Sequence, residues 1–211
     1  MNHPPQPIRL YRHALSGHAH RVQLMLSLLN LPVELVEVDL AKGEHKSPDF
    51  LRRNPFGEVP VIEDGDVTLA DSNAILVYLA SRYDASRRWY PDEPVAAASV
   101  QQWLSVAAGQ LAFGPAMARV IHLFRRKADT TFCNAIAAKL FGVMEARLSE
   151  QNFLAAGHPT IADVALYSYT AHAPEGALSL EPYPAIRTWL TRIEAQPGFV
   201  AMPRSPLPEA A

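Results

Sequence analysis

Residues 54–72, Asn-Pro-Phe-Gly-Glu-Val-Pro-Val-Ile-Glu-Asp-Gly-Asp-Val-Thr-Leu-Ala-Asp-Ser, decide the fold of this chain. The stretch begins as a loop and then carries the β-branched residues that a pleated strand prefers. Asp64 is followed by Gly65, the Asp-Gly pair that favours a two-residue hairpin turn. We therefore predict a β-hairpin from about Glu58 to Ala70 and a helix that begins near Asp71.

The proline in this hairpin indicates a place where the main chain can bind a ligand. Pro60 cannot donate to a sheet ladder, so it marks a sheet edge or a bulge. If the Val59–Pro60 bond is cis, the N–H and C=O of Val59 turn outward and can pair with an extended, peptide-like molecule.

The start of the next helix can bind an amino acid. The Asp71 carboxylate suits an ammonium group, while the Ser72 hydroxyl and the free N–H groups of the helix suit a carboxylate. The simpler alternative is that Asp71 or Ser72 serves only as the N-cap.

Composition narrows the class of protein. The chain has 211 residues, enough for two small domains, and a net charge of −2, with no basic excess to attract nucleic acid or anionic lipid. We find no signal-peptide pattern and no window that approaches the ~18 apolar residues of a membrane span. The single cysteine, Cys133, excludes an internal disulfide and a cysteine-based zinc cluster. We expect a cytoplasmic protein without nucleic-acid or membrane partners.

The first half predicts an α/β domain. A strand at Ile8 to Tyr11 precedes a helix from His18 to Asn30, a strand at Val33 to Val38 and a short helix at Pro48 to Arg53. With the hairpin and a helix at 71–83, the order is β-α-β-α-β-β-α, which is thioredoxin-like. We place this domain at residues 1–84 and a linker at 85–94.

The second half, residues 95–211, predicts an all-helical domain. Alanine-rich amphipathic stretches lie at about 95–112, 115–127, 129–150, 160–172 and 184–195, and residues 203–211 resemble a frayed tail. Thr160 and Asp163 form a capping-box pattern, in which we expect Asp163 to be buried and structural. The predicted core consists of Trp103, Leu104, Leu111, Leu140, Phe141, Met144, Leu148, Ala165, Leu166, Trp189 and Ile193.

Four motifs in this order resemble the cytosolic glutathione S-transferase family, in particular its bacterial, theta-like and beta-like members with a serine near the thiol. The motifs are Ser-Gly-His-Ala from Ser16, Asn-Pro-Phe-Gly-Glu-Val-Pro from Asn54, Asp-Ser-Asn-Ala-Ile-Leu from Asp71 and Thr-Ile-Ala-Asp-Val-Ala from Thr160. The resemblance covers nearly the whole chain. It implies glutathione as a co-substrate, a homodimer, and a helical domain that shapes the pocket for a small electrophile.

The resemblance assigns catalysis to Ser16, just before the first helix. Its hydroxyl would donate a hydrogen bond to the glutathione sulfur, and the positive end of the helix would favour the thiolate. A shift of ~2 pKa units from the free value of ~8.5 makes the thiol mostly anionic at pH 7. Ser16 as a helix cap alone is the alternative, and Tyr11 on the first strand is a rival hydroxyl.

The remaining predicted site residues follow from the same resemblance. Glutathione would contact His45, Glu58, Val59, Pro60, Asp71 and Ser72, although Glu58 stands where many relatives carry a lysine. Lys42 or Lys46 could bind the glycine carboxylate in the same way as His45, with a solvated loop charge as the alternative for either lysine. For His18, a solvated surface position is the alternative to contact with the substrate. We expect no metal, because His18 and His20 lack carboxylate or cysteine partners nearby. The second-substrate pocket would include Tyr11, His18, Phe113, Met117 and Arg119.

Two functions therefore stay open. The first is a glutathione transferase that conjugates the thiolate to small electrophiles, with peroxidase or disulfide reductase activity as further possibilities. The second is a non-catalytic binding or regulatory protein that retains the fold.

Overall fold

A computed structural model of the chain describes residues 3–208. It contains two compact units, the first ending at Tyr90 and also including Gln196–Pro203, and the second comprising Pro91–Ala195 and the residues from Arg204. The sequence analysis predicted a linker at 85–94 and assigned every later residue to the second domain. It did not predict that Gln196–Pro203 belongs to the first unit. The last part of the predicted tail, residues 209–211, lies outside the described residues.

The first unit is built on a mixed sheet of four strands. The strands are β1 (Ile8–Arg12), β2 (Val33–Glu37), β3 (Val61–Asp64) and β4 (Val67–Ala70), in the order β2-β1-β3-β4. β1 pairs parallel to β2 and antiparallel to β3, and β3 pairs antiparallel to β4. This arrangement confirms the thioredoxin-like prediction.

The predicted hairpin has a tight turn between Asp64 and Val67, which pair directly. Gly65 adopts a φ of 58°, a left-handed conformation that glycine accepts without steric cost. The first strand of the hairpin begins at Val61 and not near Glu58 as predicted, because Pro60 cannot donate to the ladder and lies just outside it.

Three helices complete the first unit: α1 (Gly17–Leu28), α2 (Pro48–Arg53) and α3 (Ser72–Tyr83). Each begins after a residue whose side chain accepts a hydrogen bond from the first turn, namely Ser16, Ser47 and Asp71. Such caps satisfy amide groups that have no partner inside a helix. They therefore fix where each helix starts.

The second unit is helical, as predicted. Its helices are α4 (Pro94–Val106), α5 (Met117–Leu123), α6 (Thr131–Glu150), α7 (Ile161–Ala171) and α8 (Pro184–Glu194). All eleven residues of the predicted core are buried, which confirms that part of the analysis.

The predicted break between the first two of these helices is wrong. A π-helical segment, Ala107–Ala116, joins α4 to α5, and Pro115 lies inside it. Proline removes an N–H group and clashes with the preceding turn of an α-helix. The wider π-helical turns accommodate it without ending the helix.

The joined helix also corrects the membrane estimate made from the sequence. Pro94–Leu123 spans 30 residues and is long and apolar enough to cross a membrane by length and composition. Half of its most apolar window is buried within the protein, as occurs in the central helix of a bundle.

The described part of the segment that follows α8 makes hydrogen bonds to other parts of the protein. In the first unit, His20 Nε2 lies 2.9 Å from the Val200 carbonyl oxygen, and the Ser27 hydroxyl donates to the Gly198 carbonyl at 2.6 Å. In the second unit, the Ser205 amide donates to Glu175 at 3.0 Å. Gly198 and Val200 precede the predicted tail, and within it Ser205 makes a specific contact.

Candidate active site

A cavity of about 460 Å³ opens in the first unit beside the loop that precedes β3. This volume lies in the range of roughly 300–1,000 Å³ that small-molecule sites usually have. Five of the six residues predicted to contact glutathione line it. The lining residues are His18, Asn54, Pro55, Phe56, Glu58, Val59, Pro60, Ala70, Asp71 and Ser72.

Buried polar contacts hold the loop that forms one wall. Asn54 is 3% exposed, and its side chain donates to the Glu58 carbonyl at 2.9 Å and accepts from the Phe56 amide at 3.1 Å. Lys46 Nζ donates to the carbonyl oxygens of Phe56 and Gly57 at 3.1 and 2.9 Å. Lys46 is exposed, as the sequence predicted, and its ammonium group is also tied to this loop.

Gly57 permits this close approach. Its φ is 60°, and a Cβ at this position would lie 2.8 Å from both the His45 carbonyl oxygen and Lys46 Nζ. Any other residue would displace the lysine from the loop carbonyls.

The main chain of Val59 faces this cavity without a protein partner. The Val59–Pro60 bond is cis. Within residues 3–208, the N–H and C=O groups of Val59 make no hydrogen bond. A buried or half-buried main chain normally finds a partner, so these groups are available to a bound molecule.

Asp71 and Ser72 form another part of the cavity wall. Asp71 is exposed and caps α3, accepting from the Ala74 amide at 2.8 Å. Its φ of 68° and ψ of 119° lie in a sparsely populated backbone region that costs an L-residue about 1–3 kcal/mol. Ser72 is buried, at 5% exposed, and opens the helix. Strain of this kind in a cavity wall is typical of a functional position.

A buried arginine, which the sequence analysis missed, links α1 to this wall. Arg21 is fully buried, and its Nη1 donates to the Ser72 hydroxyl at 3.2 Å and to Asn73 Oδ1 at 2.9 Å. Helical spacing could have predicted this burial. Arg21 lies four residues from Gly17 and four from Met25, so all three share the buried face of α1.

Ser16 caps α1 and keeps a donor available. Its hydroxyl oxygen accepts from the Ala19 amide at 3.2 Å. Among the described residues, the hydroxyl proton has no acceptor. The helix-cap role is therefore present, and it leaves the same group able to donate to a ligand.

His18 lies in the cavity wall instead of the solvated surface. Its Nδ1 atom is 3.5 Å from the Ser72 hydroxyl. Burial and the nearby Arg21 charge lower the pKa of His18 to about 3. The ring is therefore neutral at physiological pH.

Neither Ser16 nor Tyr11 is among the residues that line this cavity, and the Tyr11 hydroxyl already has a partner in the protein. The Tyr11 side chain is 6% exposed, and its hydroxyl donates to Glu63 Oε2 at 2.9 Å. Burial and the Glu63 carboxylate raise the pKa of the Tyr11 hydroxyl. The group is bound to a carboxylate and unavailable to activate a thiol.

Four other predicted site residues lie outside the cavity lining, namely His45, Phe113, Met117 and Arg119. His45 lies in a short 3-10 turn, Glu44–Lys46, outside the cavity lining, and its Nδ1 has no partner among the described residues. In the second unit, Phe113 and Met117 are 57% and 38% exposed. Arg119 is 1% exposed and pairs with Glu175 at 2.6 Å, which supports a structural role instead of substrate contact.

Thr160 and Asp163 form a capping box at the start of α7. Asp163 is fully buried and accepts from the Leu154 amide, the Thr160 amide and hydroxyl, and Trp189 Nε1. Within residues 3–208, no cluster of three or more His, Cys, Asp or Glu side chains is arranged to hold a metal ion.

Comparison with known proteins identifies the family. Residues 6–81 match the family model described as "Glutathione S-transferase, N-terminal domain", and residues 106–197 match "Glutathione S-transferase, C-terminal domain". The chain therefore belongs to the glutathione S-transferase family.

Individual relatives extend along most of the chain. It is 34% identical to glutathione S-transferase 3 of Zea mays, covering 97% of this chain and 99% of that protein. A possible glutathione S-transferase from Rhodopseudomonas palustris superposes with a TM-score of 0.86 at 34% identity, covering 97% of this chain and 94% of the other. A glutathione transferase homologue from Drosophila mojavensis, solved with bound glutathione, has a TM-score of 0.82 at 29% identity, covering 90% of this chain and 89% of the other.

Proposed function

We propose that this protein binds glutathione in the cavity of the first unit and transfers it, as the thiolate, to small electrophiles. The observation that carries the proposal is the presence of three kinds of group around one cavity: an unpaired main-chain segment at Val59, a carboxylate at Asp71 and a hydroxyl at Ser72. A tripeptide with an ammonium group, carboxylates and two peptide bonds needs this combination.

Each end of glutathione has a complementary group. Asp71 takes the ammonium group of the γ-glutamyl residue, and the Ser72 end of α3 takes its carboxylate. The main chain of Val59 pairs with the cysteinyl residue, as an added strand pairs with a sheet edge. Pro60 and Glu58 contribute to the wall through their position in the loop, and His45 contacts the glycyl end.

Ser16 activates the sulfur. Its hydroxyl donates to the sulfur while the N-terminus of α1 favours the negative charge. Both effects lower the thiol pKa, so the thiolate is present at neutral pH and attacks the electrophilic carbon. The relative from Drosophila mojavensis, which carries bound glutathione, supports this choice of co-substrate.

Titration calorimetry with glutathione and an assay with an activated chloro-nitrobenzene test this function. We expect binding in the micromolar to millimolar range and formation of the aryl conjugate. A peroxide and a mixed disulfide serve as further substrates, because a thiolate attacks an O–O or S–S bond in the same way. Absence of both binding and conjugation would contradict the proposal.

The second candidate is a non-catalytic member of the family. Glu58 favours it, because an exposed carboxylate in the cavity wall repels the carboxylates of glutathione. Glu58→Lys discriminates between the two. Conjugation by the wild type, together with tighter glutathione binding by Glu58→Lys, supports the enzyme. A wild type that does not conjugate glutathione supports the non-catalytic alternative.

We further propose that the protein is a cytoplasmic homodimer. Phe56 supports the dimer, because this large apolar side chain is 77% exposed in the cavity loop. Light scattering of the wild type and of Phe56→Ser measures the assembly. A monomeric wild type would contradict the proposal.

A further inference from the structure

Arg21 lies directly behind the part of the cavity wall that the proposed function uses for the amino-acid end of glutathione. It belongs to α1 and is fully buried. Its Nη1 atom donates to the Ser72 hydroxyl oxygen at 3.2 Å and to Asn73 Oδ1 at 2.9 Å. Ser72 lines the cavity, whereas Arg21 is not among the lining residues. Arg21 can therefore act on a ligand through α3 and through its charge, but not by direct contact.

The bond from Arg21 determines how the Ser72 hydroxyl can bind a ligand. A guanidinium group has no acceptor atom, so the Ser72 oxygen accepts in this bond and the hydroxyl proton stays available for another acceptor. Accepting from a cation also polarises the hydroxyl and strengthens the bond that it donates. The His18 Nδ1 atom, 3.5 Å from the Ser72 oxygen, is at the outer limit for a hydrogen bond. A carboxylate at a normal distance is the better acceptor.

The positive charge of Arg21 also acts inside the cavity. The guanidinium group is removed from water, so its field is screened less than that of an exposed charge. The effect is visible at His18, which lines the cavity. Burial of the ring, and after it the Arg21 charge, lower the pKa of His18 to about 3. A positive charge that disfavours an imidazolium in this wall favours an anion beside it.

The neighbouring residue, Asp71, has the opposite preference. Its carboxylate lines the same cavity, and a carboxylate only accepts hydrogen bonds. Ser72, held as a donor by Arg21, therefore lies beside an acceptor of negative charge. An amino-acid end can satisfy both residues in one orientation, with its carboxylate at Ser72 and its ammonium group at Asp71.

We propose that Arg21 is a positioning residue for glutathione, which holds the Ser72 hydroxyl as a donor and thereby selects for the carboxylate of the γ-glutamyl residue. The proposal rests on the proposed function, in which the Ser72 end of α3 takes that carboxylate. Arg21 has no part in activating the sulfur. Its contribution therefore falls on glutathione affinity and KM, while kcat changes less.

Two analogues of glutathione separate this role from general support of the fold. The tripeptide 4-aminobutanoyl-cysteinyl-glycine lacks only the γ-glutamyl carboxylate, and glutaryl-cysteinyl-glycine lacks only the amino group. NMR titration measures the Kd of glutathione and both analogues with the wild type and with Arg21→Met, which removes the charge and the donors. Arg21→Lys, which keeps the charge, is the matched control. Thermal unfolding without ligand shows whether each variant folds.

The expected result is a loss of selectivity for one group of the ligand. We expect wild type to bind glutathione about 10- to 100-fold more tightly than the analogue without the carboxylate, and this ratio to fall to about 2- to 5-fold in Arg21→Met. Arg21→Lys should lie between the two, because a single ammonium group replaces the charge but not the fork of donors. The ratio between glutathione and the analogue without the amino group should be the same in all three proteins, since Asp71 binds that group.

An unchanged ratio for the carboxylate in Arg21→Met overturns the role of Arg21, because an arginine that only supports the fold weakens all three tripeptides equally. If Arg21→Met does not fold, Arg21→Gln replaces it as the neutral variant and the same criterion applies. A wild type that binds glutathione and the analogue without the carboxylate equally well overturns this proposal and leaves glutathione binding intact. A wild type that does not bind glutathione overturns the proposed function as well.

Discussion

At the scale of single residues, the Ser16 hydroxyl combines a structural role with a proton that it can still donate. Its oxygen accepts from the Ala19 amide at the start of α1, and its proton has no acceptor within residues 3–208. The position also places the hydroxyl at the positive end of the helix. A hydroxyl donor and a helix N-terminus each favour a thiolate.

We expect Ser16→Ala to raise the pKa of bound glutathione toward its free value of ~8.5. The acid limb of the kcat/KM profile then moves to higher pH, with a loss of about 10- to 100-fold at pH 6.5 that shrinks above pH 9. The cap is also lost, at a cost of ~1 kcal/mol in the free energy of unfolding. Ser16→Thr, which keeps the hydroxyl and the cap, is the matched control. An unchanged pH profile in Ser16→Ala would assign activation to another group.

The charge of Asp71 can be tested separately from the contribution of Asp71 to folding. Asn tolerates a left-handed φ and caps a helix as well as Asp does. We therefore expect Asp71→Asn to leave the free energy of unfolding within ~0.5 kcal/mol, and to weaken glutathione binding about 10- to 100-fold through loss of a charged hydrogen bond. Calorimetry and urea denaturation measure the two effects. Equal affinity in the variant would exclude Asp71 as the partner of the ammonium group.

Sequence patterns predicted those cavity residues that belong to one local motif. Val59, Asp71 and Ser72 belong to one continuous stretch, so their proximity follows from the hairpin. Arg21 and His18 belong to a different helix, and their contacts with Ser72 depend on how α1 packs against α3. Local sequence carries no direct signal for that packing.

At the scale of elements, Glu63 connects three parts of the first unit. It accepts from Arg9 and Tyr11 on β1 and from Arg53 on α2. Burial pushes the pKa of Glu63 upward, but the hydrogen bonds from Arg53 and Tyr11 outweigh it, and the pKa lies below its usual value.

This network predicts a pH dependence of stability. A depressed folded-state pKa means that ionised Glu63 stabilises the protein above the unfolded pKa of ~4.3, and that this contribution is lost as pH falls through the lower folded value. We expect Glu63→Gln to cost about 1–2 kcal/mol at pH 7 and a smaller amount near pH 3. Urea denaturation at both pH values measures the difference. A constant difference would contradict the linkage.

Asp163 makes a comparable connection in the second unit, where it joins the start of α7 to Leu154 and Trp189. Asp163→Ala leaves several buried donors without a partner, each at a cost of roughly 1–3 kcal/mol. We expect a total loss of about 3–5 kcal/mol in the free energy of unfolding, measured by thermal and urea denaturation. The matched control Thr160→Ala should cost less, since it removes one hydroxyl. Similar losses in the two variants would contradict this account.

Capping and turn residues predicted the ends of helices more accurately than hydrophobic periodicity did. α2 begins and ends where the sequence predicted, since Pro48 and the Ser47 cap mark its start. The sequence analysis ended one amphipathic stretch at about 112 and began the next at about 115, a break that the π-helical segment removes. Hydrophobic periodicity does not distinguish a proline that ends a helix from one that a wider turn accommodates.

At the scale of the whole molecule, the chain closes its first unit with a segment from near its end. The Gly198 and Val200 carbonyls bond to Ser27 and His20 on α1, the helix that begins at the candidate catalytic serine. Sequence analysis placed the domain boundary by composition. It therefore missed a contact between residues that are 171–180 positions apart.

Truncation tests this closure. We expect a chain ending at Ala195 to lose glutathione affinity about 10-fold or more and to unfold at a lower temperature, because α1 loses two hydrogen bonds of ~1 kcal/mol each and the surrounding burial. A chain ending at Pro203 retains the segment and serves as the control. Equal glutathione affinity in the two truncated chains would show that the segment does not support the site.

The structure of the protein in complex with glutathione is the most direct test of the central claim. The account predicts that the tripeptide pairs with the Val59 main chain and that its sulfur lies roughly 3–3.5 Å from the Ser16 hydroxyl. A tripeptide bound outside the cavity, or a sulfur that contacts a different hydroxyl, would contradict it.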